Sequence, residues 1–171
     1  MQPGRFTELF FLDEATAFAA GHRPCALCRR QDYNRFTAIW QQLHPGDSGA
    51  DEIDDRLHRE RLTDSRSRRL HELHSADLPD GALVLHRNSP HVVFAGHLLA
   101  WSSGGYVNHL GLPAGSTTVI TPPSLLEVLR TGWEPGVPLL HPSARAALRG
   151  VAEQDPRPSY RTATATSSKP T

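Results

Sequence analysis

Residues 78–101 read LPDGALVLHRNSPHVVFAGHLLAW, and this stretch decides the fold class. Short apolar or alternating runs are separated by turn-forming residues, which is the pattern of β-strands joined in hairpins. The run STTVIT at 116–121 has the same character. We therefore expect at least three strands in antiparallel hairpins between residues 78 and 121.

The sequence before Leu78 has helical periodicity. EATAFAA at 14–20 follows Asp13, a plausible N-cap, and ends at Gly21, which suits the C′ position of a helix. Residues 31–43 carry apolar side chains at spacings of three and four, ending before Pro45. A strand is expected over residues 6–12, FTELFFL. The predicted fold class is α+β: a small N-terminal strand–helix zinc-knuckle module, followed by a compact antiparallel β-rich body with short helices.

These patterns divide the chain into four parts. Residues 1–45 are predicted to form the metal-binding module, and residues 46–77 a charged helix with linker. Residues 78–152 form the β-rich body. Pro, Ser and Thr dominate residues 153–171, which we expect to be disordered.

Composition excludes several classes of protein. The only lysine is Lys169, so a Walker A loop and a Schiff-base lysine are both excluded. No apolar run approaches the ~20 residues that span a bilayer, so no membrane partner is expected. The N-terminus lacks a signal-peptide pattern, which predicts a cytoplasmic protein whose thiols stay reduced. The net charge is zero, so no global basic field attracts nucleic acid.

The two cysteines of the chain, Cys25 and Cys28, lie in AAGHRPCALCRR at 19–30. The C-x-x-C spacing suits zinc, because a tight turn brings both sulfurs to one edge of a tetrahedron. A redox dithiol usually follows a strand at a helix N-terminus, whereas this pair follows a short helix and a glycine. Chance proximity of two small packing residues is the third interpretation, and spacing alone leaves all three open.

The wider stretch FFLDEATAFAAGHRPCALCRRQD at 10–32 resembles the second half of the zinc-binding domain of Ada-type DNA repair proteins. The resemblance covers about residues 6–35, and the matching positions are Gly21, Arg23, Pro24, Cys25, Cys28 and Arg29. The chain also resembles a family of uncharacterised bacterial proteins that carry this module. The resemblance implies zinc as the cofactor, bound by Cys25 and Cys28.

One departure from the Ada-type pattern limits what the resemblance implies. That site uses four cysteines, and the first pair lies upstream of the strand, where this sequence has none. The methyl-accepting residue belongs to the missing pair, so methyl transfer does not carry over to Cys25 or Cys28. We expect that an upstream β-hairpin has been lost, or that the start codon is assigned too late.

Histidines are the remaining candidate zinc ligands. His22 would make H-x-x-C-x-x-C, although the Ada-type domain has an aromatic ring there, so His22 is open to a packing role instead. His71 and His74 form H-x-x-H, which would share one face if the segment were a helix, or would simply be exposed polar residues. The predicted metal ligands are Cys25, Cys28 and His22.

Two functions follow from these residues. The first is a non-catalytic zinc-binding protein whose Arg23, Arg29 and Arg30 contact nucleic-acid phosphates, weakly and in a salt-sensitive way. The alternative is a zinc-dependent hydrolase, in which the metal keeps an open water position and a carboxylate acts as general base. The arginines are also open to a simpler interpretation as solvated helix faces. The sequence identifies no protein partner.

Overall fold

The computed structural model describes residues 9–47 and 49–149. Five helices and six strands, with one short 3-10 turn at Ser75–Asp77, are assigned in them. The helices are α1 Glu14–Ala19, α2 Arg30–Leu43, α3 Ala50–Arg61, α4 Pro123–Arg130 and α5 Ser143–Arg149. The strands are β1 His71–His74, β2 Leu83–His86, β3 Ser89–Phe94, β4 His97–Ser102, β5 Gly105–Gly111 and β6 Ser116–Val119.

All six strands join one antiparallel sheet in the order β1-β6-β2-β3-β4-β5. Tight turns link β2 to β3 and β3 to β4, and Arg87, Asn88, Ala95 and Gly96 take positive φ there. Two successive residues with positive φ are the geometry of a type I′ hairpin turn, whose twist matches that of the flanking strands. The prediction of an α+β protein with an antiparallel sheet and short helices is confirmed.

The sheet is buried on both faces. Neighbouring residues of one strand, such as Leu83 and Val84 or Val92 and Val93, belong to two different core clusters. The cluster containing Val84 also contains apolar side chains of α2, α3 and α4, including Trp40 and Leu125. The cluster containing Leu83 includes small residues of α1 and α5. The helices before and after the strands therefore cover the sheet and hold the loop between α1 and α2 against its body.

Both N-terminal helices lie where the sequence predicts them. The Asp13 side chain accepts the Thr16 N–H, and the Thr16 hydroxyl in turn accepts the Asp13 N–H, which makes a capping box. At the other end of α1, Gly21 has a φ of +77°, the left-handed conformation with which the chain changes direction after a helix. Beyond it begins the loop that carries the cysteines.

Some segments differ from the sequence predictions or lie outside the described residues. The strand expected over residues 6–12 is wrong in its described part, because residues 9–12 have no regular structure, and residues 6–8 lie outside the described residues. His71 and His74 lie on β1, not on a helix, so a separation of three residues directs them to opposite faces. The predicted disordered tail, residues 153–171, also lies outside the described part of the chain.

No described helix is long and apolar enough to cross a membrane.

Candidate metal-binding loop

The cysteine loop, residues 21–29, runs from the end of α1 to the start of α2. Cys25 begins a turn that leads directly into α2, and its carbonyl accepts the N–H of Arg29 at 3.0 Å. Neither cysteine is in a disulfide, and Cys28 is exposed while Cys25 is half-buried. Leu27, between them, keeps 74% of its surface exposed. The loop thus presents both thiols at the surface of the protein.

Backbone N–H groups point at the sulfur of Cys25. The Leu27 N–H donates to Cys25 Sγ at 3.4 Å. The Cys28 N–H is the largest cause of a lowered pKa for the Cys25 thiol. The pKa of Cys28 is raised, chiefly by a hydrogen bond between the two thiols. The two sulfurs are therefore neighbours, and the loop favours the thiolate form of Cys25, which is the form that binds metals.

Arg29 holds the far end of the loop through buried carboxylates. Its guanidinium donates to Glu14 Oε2 at 2.6 Å and to Asp32 Oδ2 at 2.7 Å. Glu14 is 2% exposed and lies in α1, so this pair ties α1 to the start of α2 at the residue that follows Cys28. Burial raises the pKa of Glu14 in spite of the nearby guanidinium.

Asp32 completes this ion-pair network. Burial would raise its pKa, but hydrogen bonds from Arg29 and Arg35 outweigh burial, and the pKa is lowered. Its Oδ1 also accepts the Gly136 N–H at 2.9 Å, which joins α2 to the segment after α4. The Arg29–Asp32 contact has helical i,i+3 spacing and could have been found from sequence. Glu14 is fifteen residues from Arg29, and no local pattern signals that contact.

The two other predicted arginines differ in environment. Arg23 pairs with Asp54 of α3 at 2.8 Å and lies over the ring of Tyr33, with its side chain only 15% exposed. Arg30 is exposed and lies over the same ring, 5.9 Å from its centroid. Arg23 and Arg29 are thus engaged with carboxylates, whereas Arg30 presents its charge to solvent beside the cysteine loop.

His22 packs against an aromatic ring. It is half-buried, and its ring centroid lies 5.3 Å from that of Phe11. Burial, assisted by the charge of Arg61, lowers its pKa. Within residues 9–47 and 49–149, no group of three or more His, Cys, Asp or Glu is arranged to hold a metal ion, so His22 does not join the two thiols in such a group.

Two further arginines, Arg61 and Arg68, contact the end of α1 that leads into the cysteine loop. Arg61 donates to the carbonyl of Ala20 at 2.8 Å, and Arg68 donates to the carbonyls of Ala19 and Ile120. The bonds to Ala19 and Ala20 satisfy carbonyl groups at the C-terminal end of α1 that the helix itself leaves unpaired. Sequence analysis does not find these contacts, because a side chain that caps a distant helix has no sequence signature.

Two clefts lie away from the cysteines. One is lined by residues of β3 and of the segment entering α5, among them Phe94, His141 and Arg145. The other lies at the β2–β3 turn and includes His86 and His91. Neither cysteine lines either of these two clefts.

Comparisons with protein-family models, with curated proteins and with solved structures find no match to this chain.

Proposed function

We propose that this protein binds zinc through Cys25 and Cys28, and that the bound metal has a structural role. The observation that carries the proposal is the N–H of Leu27 directed at Cys25 Sγ, with the Cys28 thiol beside it. Amide donors that stabilise a thiolate prepare it to bind a cation, and a C-x-x-C turn suits one edge of a tetrahedral zinc site.

The described residues supply two of the four ligands that a structural zinc ion needs. His22 is not included in the proposed set, because its ring packs on Phe11 apart from the thiols. The two remaining ligands come from outside the described residues or from another chain. The hydrolase alternative needs a third protein ligand and a general base beside the metal, and the described residues group no third ligand with the two thiols.

The test of zinc binding is metal analysis of the protein purified under reducing conditions with zinc present. We expect zinc to co-purify, and Cys25→Ser to remove it. His22→Gln is the matched control, a change six residues or fewer from both thiols, and should leave the zinc content unchanged. A wild-type protein without zinc that instead forms a reversible Cys25–Cys28 disulfide would contradict the proposal and favour redox chemistry.

We also propose that any nucleic-acid contact at this loop is made by Arg30. Of the three arginines, it is the one whose charge is exposed, while phosphates would have to compete with Asp54 for Arg23 and with Glu14 for Arg29. Such binding would be weak, indifferent to sequence, and lost as salt rises, because a contact to a phosphate acts mainly by releasing counterions.

Filter binding of unrelated duplexes across a salt series tests this contact. Arg30→Ala should weaken binding to all duplexes alike. It should also reduce the slope of log K against log salt concentration by about 0.9, the value for one phosphate contact. Arg59→Ala, an exposed arginine on α3, is the control and should have a smaller effect. Strong sequence preference that survives Arg30→Ala would overturn the proposal.

A further inference from the structure

The cleft at the entry to α5, called the α5 cleft below, is mostly apolar and holds three polar side chains. Its volume is about 400 Å³, within the range of roughly 300–1,000 Å³ that is typical of sites for small organic molecules. The apolar lining comes from β3, from α5 and from the segment between α4 and α5: Phe94, Pro138, Leu139, Leu140, Pro142 and Ala144. The polar lining residues are Asp80, His141 and Arg145.

The apolar wall of the α5 cleft is part of the folded core. Ala144 is 1% exposed, and Phe94 and Leu140 pack against the core cluster that contains Leu83 and Val92. The wall is therefore preformed, and little conformational freedom is lost when a ligand binds to it. Phe94 and Leu140 are only half-buried, so a ligand that covers them removes further apolar surface from water.

The backbone and the ring of His141 are both held in place. Its N–H donates to the buried Asp13 Oδ2 at 2.8 Å, and the same oxygen accepts the Tyr106 hydroxyl at 2.8 Å. The Ser143 backbone N–H donates to His141 Nδ1 at 3.3 Å, and Ser143 Oγ lies 2.9 Å from the same nitrogen. A backbone N–H can only donate, so Nδ1 is an acceptor and the neutral ring carries its hydrogen on Nε2. This cleft-lining ring therefore has an Nε2–H to donate to a ligand.

Arg145 and Asp80 determine which charge a ligand can carry. Arg145 is exposed, and among residues 9–47 and 49–149 no ion pair involves it. A guanidinium recognises a carboxylate through paired N–H donors. Asp80 accepts the Ala95 N–H at 2.9 Å, which holds its carboxylate at the β3–β4 turn. One ligand carboxylate thus suits Arg145 and His141, whereas a second would be repelled by Asp80.

We propose that the α5 cleft binds a small monocarboxylic acid with an apolar body. Its carboxylate accepts hydrogen bonds from Arg145 and His141, and its body packs against Phe94 and Leu140. The apolar lining supplies contact area, and the few polar groups select the charge and orientation of the ligand. Neither cysteine lines this cleft, so the inference does not depend on the zinc binding proposed above.

The test is a titration with hexanoate, followed by two-dimensional proton–nitrogen NMR of the folded protein. Hexanol and adipate are the matched probes, because they have the same number of carbons as hexanoate but carry no carboxylate and two carboxylates, respectively. We expect hexanoate to shift the amide signals of residues 139–145 in a saturable way and to bind more tightly than either matched probe.

Four variants assign the interactions. Arg145→Gln should weaken hexanoate by about fivefold, the order expected for an ion pair in contact with solvent, and leave hexanol unchanged. Asp80→Asn should strengthen adipate relative to hexanoate. Phe94→Ala should weaken hexanoate and hexanol alike. Arg59→Gln is the control, because Arg59 is exposed on α3, which packs on the other face of the sheet, and all three affinities should stay unchanged.

Several results would overturn the proposal. One is the lack of a saturable shift with hexanoate at residues 139–145. Another is hexanol binding as tightly as hexanoate, which would make the cleft a non-selective apolar surface. A third is hexanoate affinity that Arg145→Gln leaves unchanged, which would place the carboxylate elsewhere. Spectra with the signal dispersion of the wild type establish that each variant is folded.

Discussion

Arg29 is the residue on which the geometry of the cysteine loop depends most directly. Its guanidinium lies between Glu14 and Asp32, and its side chain is 22% exposed while Glu14 is 2% exposed. A buried carboxylate without its partner is unfavourable, because the interior solvates charge poorly. Arg29, which the sequence analysis considered as a phosphate contact, thus neutralises the buried carboxylate of Glu14 and pairs with Asp32.

Arg29→Met should destabilise the protein by about 3 kcal/mol, the low end for breaking a buried pair, since Asp32 keeps Arg35 and the Gly136 N–H. Arg30→Met, at the exposed neighbour, should cost less than about 0.5 kcal/mol. Urea denaturation measures both. Adding Glu14→Gln to Arg29→Met removes the orphaned charge and should recover part of the loss; no recovery would contradict a role for the ion pair.

The pH dependence of stability tests the ion pair between Asp47 and Arg56. The hydrogen bond from Arg56, with Nε 2.5 Å from Oδ2, is the largest cause of its lowered pKa, and the Trp40 indole N–H adds a second donor. A carboxyl with a lowered pKa in the folded state stabilises the protein above its ordinary pKa of about 3.9 and loses that contribution as the pH falls.

Asp47→Asn should therefore cost about 1 kcal/mol at neutral pH, a small value because Arg56 is 34% exposed and solvent screens the pair. The difference from wild type should shrink as the pH falls through the lowered pKa of Asp47. Asp64→Asn, at an exposed turn residue, is the control. The thermal midpoint as a function of pH is the measurement, and a constant difference at all pH values would contradict the assignment.

At the scale of elements, local sequence patterns predict the helices and hairpins well. The capping box, Gly21 and the apolar stripe of α2 are local signals, and they place Glu14–Ala19 and Arg30–Leu43 correctly. The strand expected over 6–12 is different. An aromatic run fits a strand only when a neighbouring strand pairs with it, and residues 9–12 have no such partner in the described residues.

The HELH segment at 71–74 left two interpretations open, one shared helix face or a pair of exposed polar residues. In the structure Glu72 pairs with Thr118 of β6, and the segment is an edge strand. Long-range pairing of this kind has no signal in a short window of sequence. The contacts of Arg61 and Arg68 with the end of α1 are equally long-range and were also missed.

The end of α1 gives a prediction at this scale. A Cβ on Gly21 would lie 2.6 Å from Arg61 Cδ, whereas Gly96, with nearly the same φ, has no atom within 4 Å of such a Cβ. Gly96→Ala should cost about 1 kcal/mol for the left-handed backbone alone. Gly21→Ala should cost about 1 kcal/mol more, because Arg61 must move and its bond to the Ala20 carbonyl weakens.

Chemical denaturation of the two alanine variants measures this difference. Both variants share the backbone cost, so the difference between them isolates the contact with Arg61. Equal losses of stability would mean that Arg61 moves aside freely and does not support the loop.

In the whole molecule, the sheet and the helices packed on it support the cysteine loop at the surface. Trp40 of α2 shares a core with Val84 and Leu125, so the helix that follows the cysteine loop is packed against the sheet. The sequence could predict the two thiols and their turn because C-x-x-C is a local motif. It could not predict that His22 packs on Phe11, because that contact depends on how the preceding chain folds back.

The proposed zinc site requires that Cys25 and Cys28 together bind a metal ion as thiolates. Titration of the reduced protein with cobalt(II), followed by absorption spectroscopy, tests it most directly, because sulfur-to-cobalt charge transfer reports thiolate ligands and visible ligand-field bands report tetrahedral geometry. We predict both signals in the wild type, their loss on adding zinc, and their absence in Cys25→Ser and Cys28→Ser. A wild-type protein that gives no charge-transfer band, or one that both serine variants retain, would contradict the claim.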